Sequence, residues 1–203
     1  MIRIIDYGLG NILAFQNMYK RMNVEVGIAR SPADFSDATK LILPGVGAFD
    51  HAMELLDASG MRAPLDELVL GKRVPVLGIC VGMQILARSS EEGSAPGLGW
   101  IDARVQAFAS LGQSDLLLPH MGWNDVTPVN ETPLFRELET DARFYFLHSF
   151  YFHCERPADV AAVASYGIDF STAVASGNIY GVQFHPEKSH HFGARLLKNF
   201  AEL

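Results

Sequence analysis

Val74-Pro75-Val76-Leu77-Gly78-Ile79-Cys80-Val81-Gly82-Met83-Gln84-Ile85-Leu86-Ala87 is the stretch that decides the fold. Its first half, Val74 to Ile79, is rich in β-branched residues and lacks polar alternation, as a strand covered on both faces does. Val81 to Ala87 is helical in pattern. Between them, Gly78-Ile79-Cys80-Val81-Gly82 has the strand, sharp turn and helix context of a nucleophile elbow, with Cys in place of Ser. Glycines let the backbone pass closely on either side of a residue held in strained dihedrals. The helix that follows directs its N-terminal N–H groups at the sulfur. Alone, the pentapeptide suits equally well a buried structural cysteine between two packing glycines.

Upstream of this stretch the chain alternates strand-like and helical runs: Ile2 to Ile5, Asn11 to Met22, Val24 to Ala29, Leu41 to Leu43, and a helix from about Phe49. This βαβ rhythm predicts an α/β fold with a mostly parallel central sheet flanked by helices. Downstream, Ile101 to Phe108, Leu116 to Leu118, Arg143 to Leu147, Val160 to Tyr166, Phe170 to Ala175 and Ile179 to Phe184 read as strands with little helix between them. An additional antiparallel portion is therefore expected in the second half. Phe192, Leu196, Leu197 and Phe200 fall at helical spacing and predict a closing amphipathic helix. Glu91 to Gly99 reads as a loop within one domain spanning residues 1–203.

The 203 residues are 49% hydrophobic and 19% charged, a balance that supports an ordinary core and excludes disordered and collagen-like classes. A net charge of −7 with no basic patch argues against nucleic acid and anionic membranes as partners. Val74 to Ala87, the longest apolar stretch, falls short of the roughly 20 residues a membrane span needs. Two cysteines, Cys80 and Cys154, are too few for a disulfide framework, and the opening Met1-Ile-Arg-Ile-Ile-Asp has no signal-peptide pattern, so a cytoplasmic location is expected.

A second element completes the chemistry. Gly181-Val182-Gln183-Phe184-His185-Pro186-Glu187 ends a strand-like run in a histidine, with a carboxylate two residues later across a proline. An imidazole there can take a thiol proton and return it to a leaving group, while Glu187 fixes its tautomer and stabilises the imidazolium. A surface turn is the plainer reading of His-Pro-Glu alone; beside Cys80, the pair reads as a base and its orienter. In a third strand end, Leu41-Ile42-Leu43-Pro44-Gly45-Val46-Gly47, the glycines leave backbone N–H groups accessible. The loop at Gly47 and the N–H of Val81 are the candidate oxyanion hole. All three segments are expected at the carboxyl ends of sheet strands, where open α/β sheets place their sites.

With these residues in view, the chain resembles the class I, triad-type glutamine amidotransferases, and among them the glutaminase subunits of imidazole glycerol phosphate synthases. The resemblance runs nearly end to end, through Asp6-Tyr7-Gly8-Leu9-Gly10-Asn11, Pro44 to Gly47, Gly78 to Gln84, Ser90 to Gly93, Pro119-His120-Met121-Gly122-Trp123-Asn124, Phe146 to Ser149 and Gln183 to Ser189. It implies a flavodoxin-like amidotransferase domain with a Cys80, His185, Glu187 triad that hydrolyses L-glutamine without metal or organic cofactor. It further implies that Gln84, Glu92, His148 and Ser149 help hold the substrate. The ammonia would pass to a separate (β/α)8-barrel synthase subunit, with Asn11, Trp123 and Lys188 facing that partner. Plainer readings remain for two of these: His148 as a hydrogen-bonded core histidine, and Trp123 as core.

Ala14 stands where the resembled subunits usually carry a small hydroxyl residue, and Ser189 is followed by His190-His191-Phe192. Both departures fall near the expected docking face and leave the triad untouched. An alternative is a paralogous glutaminase that supplies ammonia for amidination of a surface-polysaccharide sugar. A pseudoenzyme would lack a triad member, and none is missing.

Overall fold

The computed structural model describes residues 1–112 and 115–203. In the first half, β1 (Ile2–Ile5), α1 (Ile12–Arg21), β2 (Val26–Ala29), β3 (Lys40–Gly45), α2 (Phe49–Ala58), α3 (Arg62–Asp66), β4 (Val76–Cys80) and α4 (Val81–Gln84) follow the βαβ rhythm. The second half contains β5 (Ser89–Ser90), β6 (Ala103–Ala107), β7 (His120–Asp125), β8 (Thr127–Pro128), β9 (Arg143–His148), β10 (Phe150–Cys154), β11 (Val160–Tyr166), β12 (Ile168–Ser176), β13 (Ile179–Val182) and the closing helix α5 (His190–Ala201).

The main sheet runs β2-β1-β3-β4-β13-β12-β10-β6-β5. Its first five strands are parallel, and β12, β10 and β6 continue it in antiparallel pairs. Every residue of β4 is buried, which is why it reads as an unbroken apolar run. The helices bury one stripe each: Phe15 and Tyr19 of α1, and Leu196, Leu197 and Phe200 of α5. A separate antiparallel ribbon, β7–β9, pairs His120 with His148 and Trp123 with Tyr145.

Two sequence expectations are corrected, and two strands are added. Val81 to Ala87 is not one helix. The helix stops at Gln84, because the carbonyls of Ile85, Leu86 and Ala87 accept from Leu98, Ile101 and Gly99 in the loop that returns over them. A single turn has little macrodipole to lend the cysteine. Leu116 to Leu118 is no strand: Leu117 is 82% exposed, and Pro119, lacking an N–H, follows at once. The strands His120–Asp125 and Phe150–Cys154 went unread, since polar and glycine residues interrupt the first and aromatic residues without clear alternation fill the second.

No helix is long and apolar enough among the described residues to cross a membrane.

Candidate active site

The sheet order places β3, β4 and β13 side by side, and their carboxyl ends carry the three motifs. Gly45 is in register with Cys80, and Val182 with Ile79. Cys80 itself adopts φ 56° and ψ −115°, a left-handed backbone that a non-glycine residue holds only at a cost of about 1–3 kcal/mol. The strain is held in place by close backbone crossings. A Cβ on Gly82 would lie 1.8 Å from the Leu43 carbonyl oxygen, and one on Gly78 2.5 Å from that of Gly82. The elbow can therefore sit directly on the end of β3 only because both flanking residues lack a side chain.

His185 follows the end of β13, and its Nδ1 lies 3.0 Å from Glu187 Oε1; both side chains are nearly inaccessible to solvent. Burial alone would depress the imidazole pKa, but hydrogen bonds to Cys80 and Glu187, and the charges on both, outweigh it and raise the value to about 9. Gly193 allows α5 to start directly against this turn, for a Cβ there would meet the Pro186 carbonyl oxygen at 1.8 Å. Cys154 shares none of this setting: burial first, then Asp159, push its thiol up to about 12, and it is a packing residue.

A cavity of about 280 Å³ opens over the sulfur. Its wall includes Gly47, Cys80, Val81, Gln84, Glu92, His148, Ser149 and His185. Eight residues expected from five separate segments of sequence thus meet in one cavity. Gly47 has φ 100° and open space about it, leaving its backbone free to approach a ligand. Glu92 accepts a 2.8 Å hydrogen bond from the Phe49 N–H, while burial raises its pKa above the usual carboxylate value.

Gln84, expected to help hold the substrate, lines the cavity and is also bonded beneath it. Its Nε2 donates to Gln183 Oε1 at 3.0 Å and to the Phe150 carbonyl at 3.4 Å, and Gln183 Nε2 in turn donates to Cys80 Sγ at 3.7 Å. Gln183 is fully buried. Its functional contact went unread, although a glutamine inside the apolar run Val182-Gln183-Phe184 is a visible anomaly. Tyr7 was also missed: its hydroxyl donates to the Pro44 carbonyl at 2.8 Å and so pins the loop that leads to Gly47.

His148 is buried with both ring nitrogens engaged, so it is a bonded core histidine and a cavity wall at once. Burial holds its pKa down to about 3 and that of neighbouring His120 to about 4, from 6.5 in the open chain. Between those values the unfolded chain binds protons that the folded one refuses, so stability rises with pH. Urea midpoints are expected to fall as the pH is lowered from about 6.5 towards 4, and His120→Phe is expected to flatten that decline.

The three residues expected at a docking face lie outside the centre of the cavity. Lys188 edges it, and also borders a second hollow of about 700 Å³ that Asn11, Ala14, His190 and His191 line. The departures noted in the sequence therefore cluster in that hollow. Trp123 is 41% exposed and not core, and it stacks on His190 with ring centroids 5.3 Å apart. Among the described residues, no three or more His, Cys, Asp or Glu side chains are grouped to hold a metal ion.

Residues 3–203 match the family model for class-I glutamine amidotransferases. The chain is 61% identical to imidazole glycerol phosphate synthase subunit HisH of Bdellovibrio bacteriovorus, and 52% identical to the HisH subunit of Leptospira interrogans, over the full length of each chain. A solved glutamine amidotransferase, 20% identical, superposes with a TM-score of 0.75 over 99% of this chain and 97% of its own, which supports the fold. A nucleophile elbow, a buried His-Glu pair and full-length likeness at this level leave one conclusion: the chain belongs to the class-I glutamine amidotransferases and, within them, to the HisH glutaminase subunits of imidazole glycerol phosphate synthase.

Proposed function

We propose that the whole chain works as one cytoplasmic glutaminase domain in which Cys80, His185 and Glu187 hydrolyse L-glutamine and hand the ammonia to a (β/α)8-barrel synthase subunit. The observation that carries the reading is the buried His185–Glu187 pair beside a cysteine strained at the end of β4. Cys80 Sγ attacks the side-chain amide carbon, and the oxyanion that forms is held by the Val81 N–H and the backbone at Gly47. His185 protonates the departing nitrogen, and ammonia leaves. The same imidazole then takes a proton from water, whose oxygen attacks the thioester and releases glutamate. Gln84, Glu92 and the His148-Ser149 segment hold the substrate's amino-acid end, and Gln84 also supports the site through its bond to Gln183.

Ammonia is lost to solvent unless the site opens onto its consumer. Asn11, Trp123 and Lys188 form the face that receives the barrel, and an exposed tryptophan is a common interface anchor. In the barrel, ammonia joins the phosphoribulosyl-formimino aminoimidazole carboxamide nucleotide to give imidazole glycerol phosphate. Reconstitution tests this directly: the chain mixed with a histidine-pathway barrel subunit and acceptor nucleotide should release glutamate and make imidazole glycerol phosphate from glutamine. Product with a sugar-amidinating partner instead would redirect the ammonia. The isolated chain is expected to hydrolyse glutamine slowly, because a glycine-rich oxyanion loop aligns only when the partner is seated.

The elevated His185 pKa fixes the pH dependence. The imidazole keeps its proton through neutral pH, so kcat/KM is expected to lose its alkaline limb near pH 9, where the acid for the leaving nitrogen is gone. Glu187 raises that pKa through its hydrogen bond and its charge. Glu187→Gln should therefore move the limb to lower pH and reduce kcat by on the order of 10²-fold, read from a pH-rate profile. A limb left in place would remove Glu187 from the triad.

A further inference from the structure

Strand β7 has two faces. Met121 and Trp123 point outward, 64% and 41% exposed, while His120 and Asn124 point inward. His120 lies directly opposite His148 in the ribbon. The ring nitrogens of both histidines have defined roles. His148 Nδ1 is 2.7 Å from the Phe150 carbonyl, an acceptor only, so Nδ1 carries the proton. Burial keeps the ring neutral, and its Nε2 is then an acceptor, 2.9 Å from His120 Nδ1, which must donate. The same reasoning on neutral His120 makes its Nε2 an acceptor for Asn124 Nδ2 at 3.3 Å. The amide of Asn124 is oriented by two further bonds, Nδ2 to the Ser165 carbonyl and Oδ1 from the Asp125 N–H. Every donor in the series Asn124, His120, His148 points the same way, and the series ends on the Phe150 carbonyl.

That carbonyl is also the acceptor for Gln84 Nε2, the residue that holds Gln183 against the sulfur of Cys80. The hydrogen-bonded path thus runs unbroken from the inner face of β7 to the nucleophile, and Phe150 with Ser149, His148 and Leu147 forms one wall of the cavity. Aromatic rings clamp the path: His120 is stacked between Phe146 and Tyr166, at 4.8 and 4.0 Å.

We propose that His120 and Asn124 are positioning residues for the glutamine site: their one-way donor series fixes the His148 tautomer, ties that ring to the Phe150 carbonyl and so sets the wall formed by residues 147–150. The inference rests on reading the cavity as the glutamine site. In a hydrogen-bonded series each member dictates the tautomer of the next, so removal of one donor leaves a buried acceptor unpaired and frees the ring beyond it.

Two substitutions at one position separate donation from packing. His120→Phe keeps a ring between Phe146 and Tyr166 but has no donor for His148. His120→Asn loses the ring but places an amide N–H where Nδ1 stood. In the reconstituted complex, His120→Phe is expected to raise KM for glutamine about tenfold with kcat changed less than about threefold, the scale of one lost buried hydrogen bond. His120→Asn should lie closer to the parent. Nitrogen-15 spectra should show Nδ1-protonated neutral rings for His120 and His148 in the parent, and loss of that single tautomer at His148 in His120→Phe. Asn124→Ala, which leaves the ring stack in place, should raise KM about threefold and decides the matter if His120→Phe does not fold. Parent-like KM in His120→Phe with a raised KM in His120→Asn would mean packing alone, and would overturn the proposal. An unmoved KM in Asn124→Ala would do the same. A parent complex that does not hydrolyse glutamine would remove the site reading, and the proposal with it.

Discussion

Cys80→Ala should lower glutamine hydrolysis by at least about 10⁴-fold, since the residues of a nucleophile unit act together and little survives loss of the attacking atom. The fold should be kept. Alanine at φ 56° carries the same backbone strain as cysteine there, so the substitution removes one sulfur and the contacts that Gln183 and His185 make with it. The unfolding midpoint should shift by no more than the equivalent of about 1 kcal/mol. Glutamate release measured in the reconstituted complex tests the first statement, and urea denaturation the second. Binding of the barrel partner should be unchanged, because Cys80 is buried in the cavity wall, which Asn11 and Trp123 do not line. Hydrolysis above a few per cent of the parent rate would sink the assignment of the nucleophile.

The second large effect is structural. Gly82→Ala would set a methyl group 1.8 Å from the carbonyl oxygen of Leu43, a distance no Cβ tolerates. That carbonyl belongs to β3, which is paired along its length with β4, so the sheet would have to move as a unit. The expected cost exceeds about 4 kcal/mol, the range in which a single substitution abolishes a marginal fold. Gly60→Ala is the control: its φ is 70°, yet nothing lies within 4 Å of the added carbon, so it meets backbone strain alone, about 1 kcal/mol. Soluble yield and urea midpoints of the two variants distinguish them. A Gly82→Ala protein as stable as Gly60→Ala would show that the crossing of the elbow over β3 is not tight.

These two expectations explain why a short stretch was so informative. A thiol at a sharp turn needs small neighbours, and Gly78 and Gly82 were legible for that reason. The His185-Pro186-Glu187 turn was legible because a proline holds a base and its carboxylate at fixed separation. The strands that bury both faces, such as β4, announced themselves as apolar runs. Strand β7 did not, because its faces alternate between an exposed side with Met121 and Trp123 and a polar network, and both look irregular in one dimension.

Sequence by itself therefore determined the βαβ rhythm, the elbow, the base with its orienter and the membership that full-length likeness confirmed. Those features are local: each depends on residues within about one strand or one turn of one another, and spacing records them directly. Tertiary structure alone decided what each polar side chain does. Gln84 is committed to Gln183 and Phe150, His148 to Phe150 and His120, and Trp123 to the surface against His190. Such roles depend on which partner fills a buried donor or acceptor, and those partners lie 28 to 99 positions away along the chain in the bonds from His148 to His120 and from Gln84 to Gln183. No pattern in one strand encodes a partner that only the closing of the sheet brings near.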